Sequence, residues 1–165
     1  MAYAYKTMST SPVGALTLVA SERGLAAILW ESDDPKRVPL SPLVEDGAHP
    51  VLVETEKQLA DYFAGRRTQF TVPLDFHGTD FQKSVWNALL QIPFGETRSY
   101  ADIARTIGRP SAVRAVGAAN GRNPISIIAP CHRVIGSSGA LTGFAGGLPA
   151  KQLLLALESR QPALL

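Results

Sequence analysis

Apolar and polar positions alternate along the first thirty residues in the manner of strands. Tyr3-Ala4-Tyr5-Lys6-Thr7, Gly14-Ala15-Leu16-Thr17-Leu18-Val19-Ala20 and Leu25-Ala26-Ala27-Ile28-Leu29-Trp30 are three such runs. Pro12-Val13-Gly14 and Glu22-Arg23-Gly24 are placed for hairpin turns between them. Residues 32–50 carry Pro35, Pro39, Pro42 and Pro50 among Asp33, Asp34, Glu45 and Asp46, and read as a mobile loop. From Val51 to Ala64 the spacing becomes helical, with Leu52, Leu59 and Phe63 on one stripe and Gly65 closing it. Thr71 to Phe76 is expected as a further short strand.

The period changes near Gly78. Phe81, Val85, Trp86, Leu89 and Leu90 share a helix face that Pro93-Phe94-Gly95 ends. Ser99 with Asp102 three residues on forms a capping box for a helix from Tyr100 to Ile107, closed by Gly108. Pro110-Ser111 leads into a second helix from Ala112 to about Asn120, so the pair is a helix-turn-helix candidate. Ile125 to Ala129 reads as a buried strand leading to Pro130-Cys131-His132-Arg133. A glycine-rich loop and a helix opened by Pro149 complete the chain. The pattern predicts an α+β protein: a small N-terminal sheet-plus-helix domain over residues 1–78, then a mostly helical domain over 79–165.

Composition narrows the class. The chain has 165 residues, 45% hydrophobic and 18% charged, which is ordinary for a soluble globular protein and excludes a disordered, collagen-like or coiled-coil chain. The longest apolar run, Leu153-Leu154-Leu155-Ala156-Leu157, is too short to span a bilayer, so no membrane partner is expected. No export signal is read, and a single cysteine excludes an intrachain disulfide, so a cytoplasmic, reducing compartment is expected. The formal charge of +2 hides an asymmetry: residues 1–80 carry seven basic and eleven acidic side chains, residues 81–165 nine and three. A basic half is the footprint of a surface that meets a polyanion, with a solvated face as the alternative.

Cys131 is the candidate nucleophile. His132 follows it, Arg133 adds charge and Pro130 fixes the approach of the chain; cations and imidazoles favour the thiolate. The alternative is a buried small hydrophobe. In an extended chain Cys131 and His132 would point to opposite sides, so proton transfer would need a bridging water or a turn. Glu158, one helical turn from Leu154, borders an apolar stripe and needs a partner; His132 is the candidate, Arg133 or solvent the alternative. One cysteine and the scattered His49, His77 and His132 give no metal-ligand spacing, so no metal is expected. The second helix of the pair is lined by small residues (Ala112, Ala115, Gly117, Ala118, Ala119) around Arg114, which suits close approach to DNA or to a neighbouring helix, not major-groove reading.

Together these residues resemble the O6-alkylguanine-DNA alkyltransferase family. The resemblance rests on Pro130-Cys131-His132-Arg133-Val134-Ile135, with Ala115-Val116-Gly117 and Asn123-Pro124 before it. It extends upstream through Phe81, Val85-Trp86, Ile92-Pro93-Phe94-Gly95-Glu96-Thr97 and Ser99-Tyr100. Downstream it continues through Gly139, Gly143-Phe144, Gly146-Gly147-Leu148, Lys151 and Glu158. It implies a ribonuclease H-like N-terminal domain and a winged helix-turn-helix-like motif that docks in the minor groove while the lesion is flipped out of the stack.

By the same resemblance Arg114 fills the gap left by the base, while Ala112, Ala115 and Ala118 allow close approach. Cys131 attacks the alkyl carbon on guanine O6, and His132 takes the thiol proton through a water. Glu158 holds His132, and Tyr100 donates to the departing guanine. Asn123 braces the turn carrying the nucleophile, and Ser137 lies in the loop over the base.

The product is a thioether, so each molecule acts once. The implied partner is duplex DNA containing O6-alkylguanine, with O4-alkylthymine an open second substrate. The resemblance implies no cofactor, and a monomer in solution, with clustering on DNA left open. Two departures stand out: Ala145 replaces a hydroxyl residue of some relatives, and the N-terminal half lacks the cysteines of a structural zinc site. Two readings from other classes stay open, a non-catalytic lesion-binding module and a cysteine hydrolase of amides or esters.

Overall fold

A computed structural model describes residues 2–139 and 143–160. Part of the glycine-rich loop and the last five residues of the expected second domain therefore lie outside the described residues. The alternating runs at the N-terminus form β1 (Tyr3–Met8), β2 (Leu16–Ala20) and β3 (Leu25–Trp30). They pair antiparallel in sequence order, with Tyr5 opposite Val19 and Val19 opposite Ala27. The proline- and acid-rich stretch departs from its expectation as a loop throughout. Leu43–Glu45 forms β4, which pairs parallel to Tyr3–Tyr5 of β1 and satisfies that otherwise open edge.

Helix α1 (Pro50–Phe63) covers the sheet. Its buried stripe is Leu52, Thr55, Gln58, Leu59 and Tyr62; Phe63, expected on the stripe, is only half-buried, and Tyr62 takes the inward place. The segment expected as a strand over Thr71–Phe76 makes a single parallel bridge, Leu74 to Leu25. It runs so close to the β2–β3 turn that a Cβ on Gly24 would stand 2.6 Å from the Pro73 carbonyl oxygen, which accounts for glycine there.

The second half is helical: α2 (Asp80–Leu89), α3 (Tyr100–Thr106), α4 (Val113–Gly121) and α5 (Leu148–Arg160). Capping boxes start α2 (Thr79 with Gln82) and α3 (Ser99 with Asp102). Val85, Trp86, Ala88 and Leu89 face inward from α2, whereas Leu90, expected on that face, is exposed just past its end. The two-residue strands β5 (Arg98–Ser99) and β6 (Val134–Ile135) pair in parallel and tie the start of α3 to the chain leaving Cys131.

Residues 125–129 are not the buried strand their apolarity suggested. They fold into tight turns, with Ile128 N–H donating to the Ser126 carbonyl and Ala129 N–H to the Ile125 carbonyl, both at 2.9 Å. Ile127 adopts a φ of +74°, a left-handed conformation that a β-branched residue enters only under tertiary constraint. The constraint is visible in the packing. Ile125, Ile127 and Ile128 sit in the core built on the first sheet, α1 and Leu154, whereas Cys131 belongs to a second core with α2, α3 and α4. The short segment before Cys131 is therefore anchored in one core and delivers the cysteine to the other. Among the described residues no helix is long and apolar enough to cross a membrane.

Candidate active site

Pro130 ends the strained turn, and Cys131–Arg133 form one turn of 3-10 helix, with Cys131 N–H donating to the Ala129 carbonyl at 2.8 Å. This geometry replaces the extended alternation expected around the cysteine. Cys131, His132 and Arg133 are all buried, and His132 has no exposed surface.

Asn123 braces the approach from below. Its Nδ2 donates to the Ala129 carbonyl at 2.8 Å, and its Oδ1 accepts from Ile125 N–H at 3.1 Å. Burial pushes the Cys131 thiol above its ordinary value. Hydrogen bonding from Asn123, the charges of Arg37 and Lys151, and Ser126 oppose that shift.

Glu158 comes from α5 to meet the turn. Its Oε2 accepts from His132 Nε2 at 2.7 Å, Arg133 Nη2 at 2.9 Å and the Tyr62 hydroxyl at 2.6 Å; its Oε1 accepts from Arg133 Nε at 2.8 Å. Burial alone would raise this carboxyl, but the His132 and Arg133 hydrogen bonds and charges outweigh it and bring it from 4.5 down to about 2.

An ionised carboxylate only accepts, so His132 Nε2 carries the hydrogen and Nδ1 of the neutral ring holds a lone pair. That Nδ1 is buried and has no hydrogen-bond partner among the described residues. Burial lowers the imidazole below its usual value; Glu158 opposes this, and Arg133 and Lys151 reinforce it. The ring is therefore neutral near neutral pH and able to accept a proton.

Lys151 is fully buried two turns before Glu158 on the same face of α5, and its Nζ donates to the Val134 carbonyl at 2.7 Å. Burial lowers its ammonium, while Cys131 favours the charged form. Tyr100, at the first turn of α3, packs against the core that holds Cys131. A Cβ on Gly117 would lie 3.8 Å from the Tyr100 ring, so the ring packs over α4 at van der Waals distance.

On the outer side of α4, Arg114, Ala115 and Ala118 are exposed and Ala112 is half-buried, forming a face of short side chains with one long cation. Ser137 is exposed in the turn closed by Gly139 N–H donating to the Gly136 carbonyl, and Ala145 is exposed further along the loop. Among the described residues no group of His, Cys, Asp and Glu is arranged to hold a metal ion.

The structure thus brings Cys131, His132, Glu158 and Asn123 together, sets Tyr100 beside their core, and separates Arg114 and the alanines onto the outer helix face. Glu158 takes both partners between which the sequence left a choice. Three side chains at the site were given no role by the sequence, although Lys151 belongs to the stretch that carries the family resemblance. Tyr62 lies three residues after Leu59, so extending the α1 stripe by one turn finds it. Lys151 precedes Leu154 and Glu158 at helical spacing. Arg37 has no periodic signal: it sits in the proline-rich stretch, is paired by Asp33, and donates to the Asn123 carbonyl at 2.8 Å.

Comparison with known proteins covers nearly the whole chain. Residues 4–76 match the family described as 6-O-methylguanine DNA methyltransferase, ribonuclease-like domain, and residues 80–160 match its DNA binding domain. Among curated relatives, the methylated-DNA–protein-cysteine methyltransferase of Mycobacterium tuberculosis is 53% identical over 162 residues, covering 96% of this chain and 94% of the relative. That of Methanosarcina acetivorans is 49% identical over 154 residues, covering 93% and 97%. Among solved structures, Mycobacterium tuberculosis OGT in complex with DNA superposes with a TM-score of 0.85 at 47% identity, covering 98% of this chain and 94% of that one. The O6-methylguanine-DNA methyltransferase of Pyrococcus kodakaraensis, at 20% identity and a TM-score of 0.54, shares the fold.

Proposed function

This chain belongs to the 6-O-methylguanine DNA methyltransferase family, and from that premise we propose that it repairs duplex DNA by moving the alkyl group of O6-alkylguanine onto its own Cys131. The observation that supports this reading is the buried His132–Glu158 pair, whose imidazole follows Cys131 directly in the chain and keeps its Nδ1 without a hydrogen-bond partner among the described residues. Residues 79–165 supply DNA binding and chemistry, and residues 1–78 supply the scaffold against which the cysteine turn is anchored.

The exposed small face of α4 enters the minor groove, and Arg114 occupies the space of the flipped nucleotide. The Cys131 sulfur attacks the alkyl carbon in line, so the S–C bond forms as the C–O6 bond breaks. The thiol proton passes through a water to His132 Nδ1, and Glu158 stabilises the resulting imidazolium. Burial keeps Cys131 a thiol until that base acts. Tyr100 donates a proton to the departing guanine where negative charge develops, and regains one from the imidazolium side through solvent.

Asn123 holds the turn in register, and Ser137 belongs to the loop that closes over the base. The thioether has no hydrolytic exit, so the protein acts once, as a monomer that can cluster along DNA. O4-alkylthymine is the second lesion to assay.

Intact-protein mass after mixing with a duplex carrying one O6-methylguanine tests the proposal. The expected result is a gain of one methyl group in the wild type only, with none in Cys131→Ser and none from undamaged duplex. Tight binding with an unchanged mass would make the protein a lesion-binding module, and repeated turnover of an ester would make it a hydrolase.

A further inference from the structure

The carboxylate that holds His132 is itself held from the other half of the chain. Tyr62 lies on α1, and its hydroxyl donates at 2.6 Å to the same Glu158 oxygen that accepts from His132. Tyr62 and Glu158 are each only 1% exposed. The direction of the hydroxyl is fixed by aromatic packing: the Tyr62 ring meets Phe63, Phe70 and Phe94 at centroid distances of 5.5, 5.4 and 6.3 Å. Phe94 in turn lies under the Arg133 guanidinium, 5.7 Å away. The ring is thus locked between the N-terminal core and the ion pair, with its one polar atom aimed at Glu158.

We propose that Tyr62 is a positioning residue for alkyl transfer, acting through Glu158 to set how firmly His132 holds a proton; this rests on the function proposed above. Oε2 carries the negative charge that stabilises an imidazolium at His132. A third donor on that oxygen disperses its charge and weakens its pull on the His132 proton, which keeps the imidazole neutral and available as a base. Among the described residues, the charged or titratable groups that act on His132 are Glu158, Arg133 and Lys151, and those that face Glu158 are His132, Arg133 and Tyr62. Arg133 and Lys151 are common to wild type and variant, so removing the Tyr62 hydroxyl isolates its share.

The test is single-turnover methyl transfer from a duplex carrying one O6-methylguanine, measured with the full chain from about pH 5 to about pH 8.5. Wild type, Tyr62→Phe, Glu158→Gln and the double variant are compared. The expected result is an acid limb displaced upward in Tyr62→Phe by about one pH unit, and hence transfer about tenfold slower along that limb. Duplex affinity should be unchanged, and the displacement should vanish when Glu158 is already Gln. Superimposable profiles for wild type and Tyr62→Phe would overturn the inference. So would a lower melting temperature with an unmoved acid limb, which is the signature of packing alone, or the same displacement in the Glu158→Gln background. A wild type that transfers no methyl group would overturn the proposed function and this inference with it; normal wild-type transfer with an unaffected variant overturns only the inference.

Discussion

Arg133 grips Glu158 side-on, with Nε donating to Oε1 at 2.8 Å and Nη2 to Oε2 at 2.9 Å, while its Nη1 turns to the Ile92 carbonyl at 2.7 Å. The pair lies where the cysteine turn, α5 and the end of α2 converge, so it fixes the carboxylate that His132 needs and closes the segment after α2 in the same act. Removing the cation would leave Glu158 charged in the interior with its main partner gone. Arg133→Met is expected to destabilise the protein by about 3–5 kcal/mol in urea unfolding. Arg133→Lys should recover only part of this, since an ammonium cannot reproduce the two-point grip. Equal midpoints for wild type and Arg133→Met would contradict the role.

Acid sensitivity follows from the same cluster. Glu158 is depressed from 4.5 to about 2 in the folded protein, so the unfolded chain binds its proton first. Its contribution is fully present above 4.5 and is lost as pH falls toward about 2. His132, lowered by burial, acts with the same sign from 6.5 downward. Stability should therefore begin to fall on acidification below 6.5 through His132, and fall further below 4.5 through Glu158. Denaturant titrations at stepped pH should show a flatter acid slope for Glu158→Gln than for the wild type; parallel slopes would remove Glu158 from the account.

The outer face of α4 separates folding from binding. Ala118 is exposed and makes no core contact, so Ala118→Gln should change folding stability by less than about 0.5 kcal/mol. If that face enters the minor groove as proposed, the added bulk holds the helix off the duplex and weakens binding about tenfold or more. Fluorescence anisotropy with a short duplex, at two salt concentrations, checks both points: affinity should fall in the variant, and should fall with salt in both proteins. Undiminished binding by Ala118→Gln would move the DNA-facing surface elsewhere.

Much of this architecture is readable in the chain because local signals agree with tertiary ones. The capping box of Ser99 and Asp102, the three alternating runs and the glycine after α3 each specify their element within a few residues. The cysteine motif and Glu158 were legible as chemistry because buried polar groups need partners. What escaped depends on contacts between distant segments. Ile125–Ala129 is as apolar as a strand, but its backbone bonds close on themselves and Ile127 is forced to positive φ by the core around it. Leu43–Glu45 is too short to announce a strand and forms one because β1 offers an open edge. Arg37 gives no sign of its role at the site, since the Asn123 carbonyl it reaches lies 86 residues away.

Arg37 gives the proline-rich stretch a definite role. Asp33 holds the guanidinium at two points, Nε to Oδ1 at 2.8 Å and Nη2 to Oδ2 at 2.7 Å, and Nη1 is thereby aimed at the Asn123 carbonyl at 2.8 Å. Asn123 spans the strained turn with its own side chain, so the order runs from Asp33 through Arg37 and Asn123 to the residues that present Cys131. Cutting the first link leaves the Asn123 carbonyl without its charged donor and loosens the turn without touching the cysteine. Arg37→Ala should cost about 1–3 kcal/mol of stability. It should also speed hydrogen exchange at the Ile128, Ala129 and Cys131 amides, and slow methyl transfer several-fold while Cys131 remains the site modified. Asp33→Asn should reproduce a milder version, because the guanidinium is still present but less firmly aimed. Exchange rates in those three amides identical to the wild type would show that the turn is held by its own packing and that Arg37 serves only the loop.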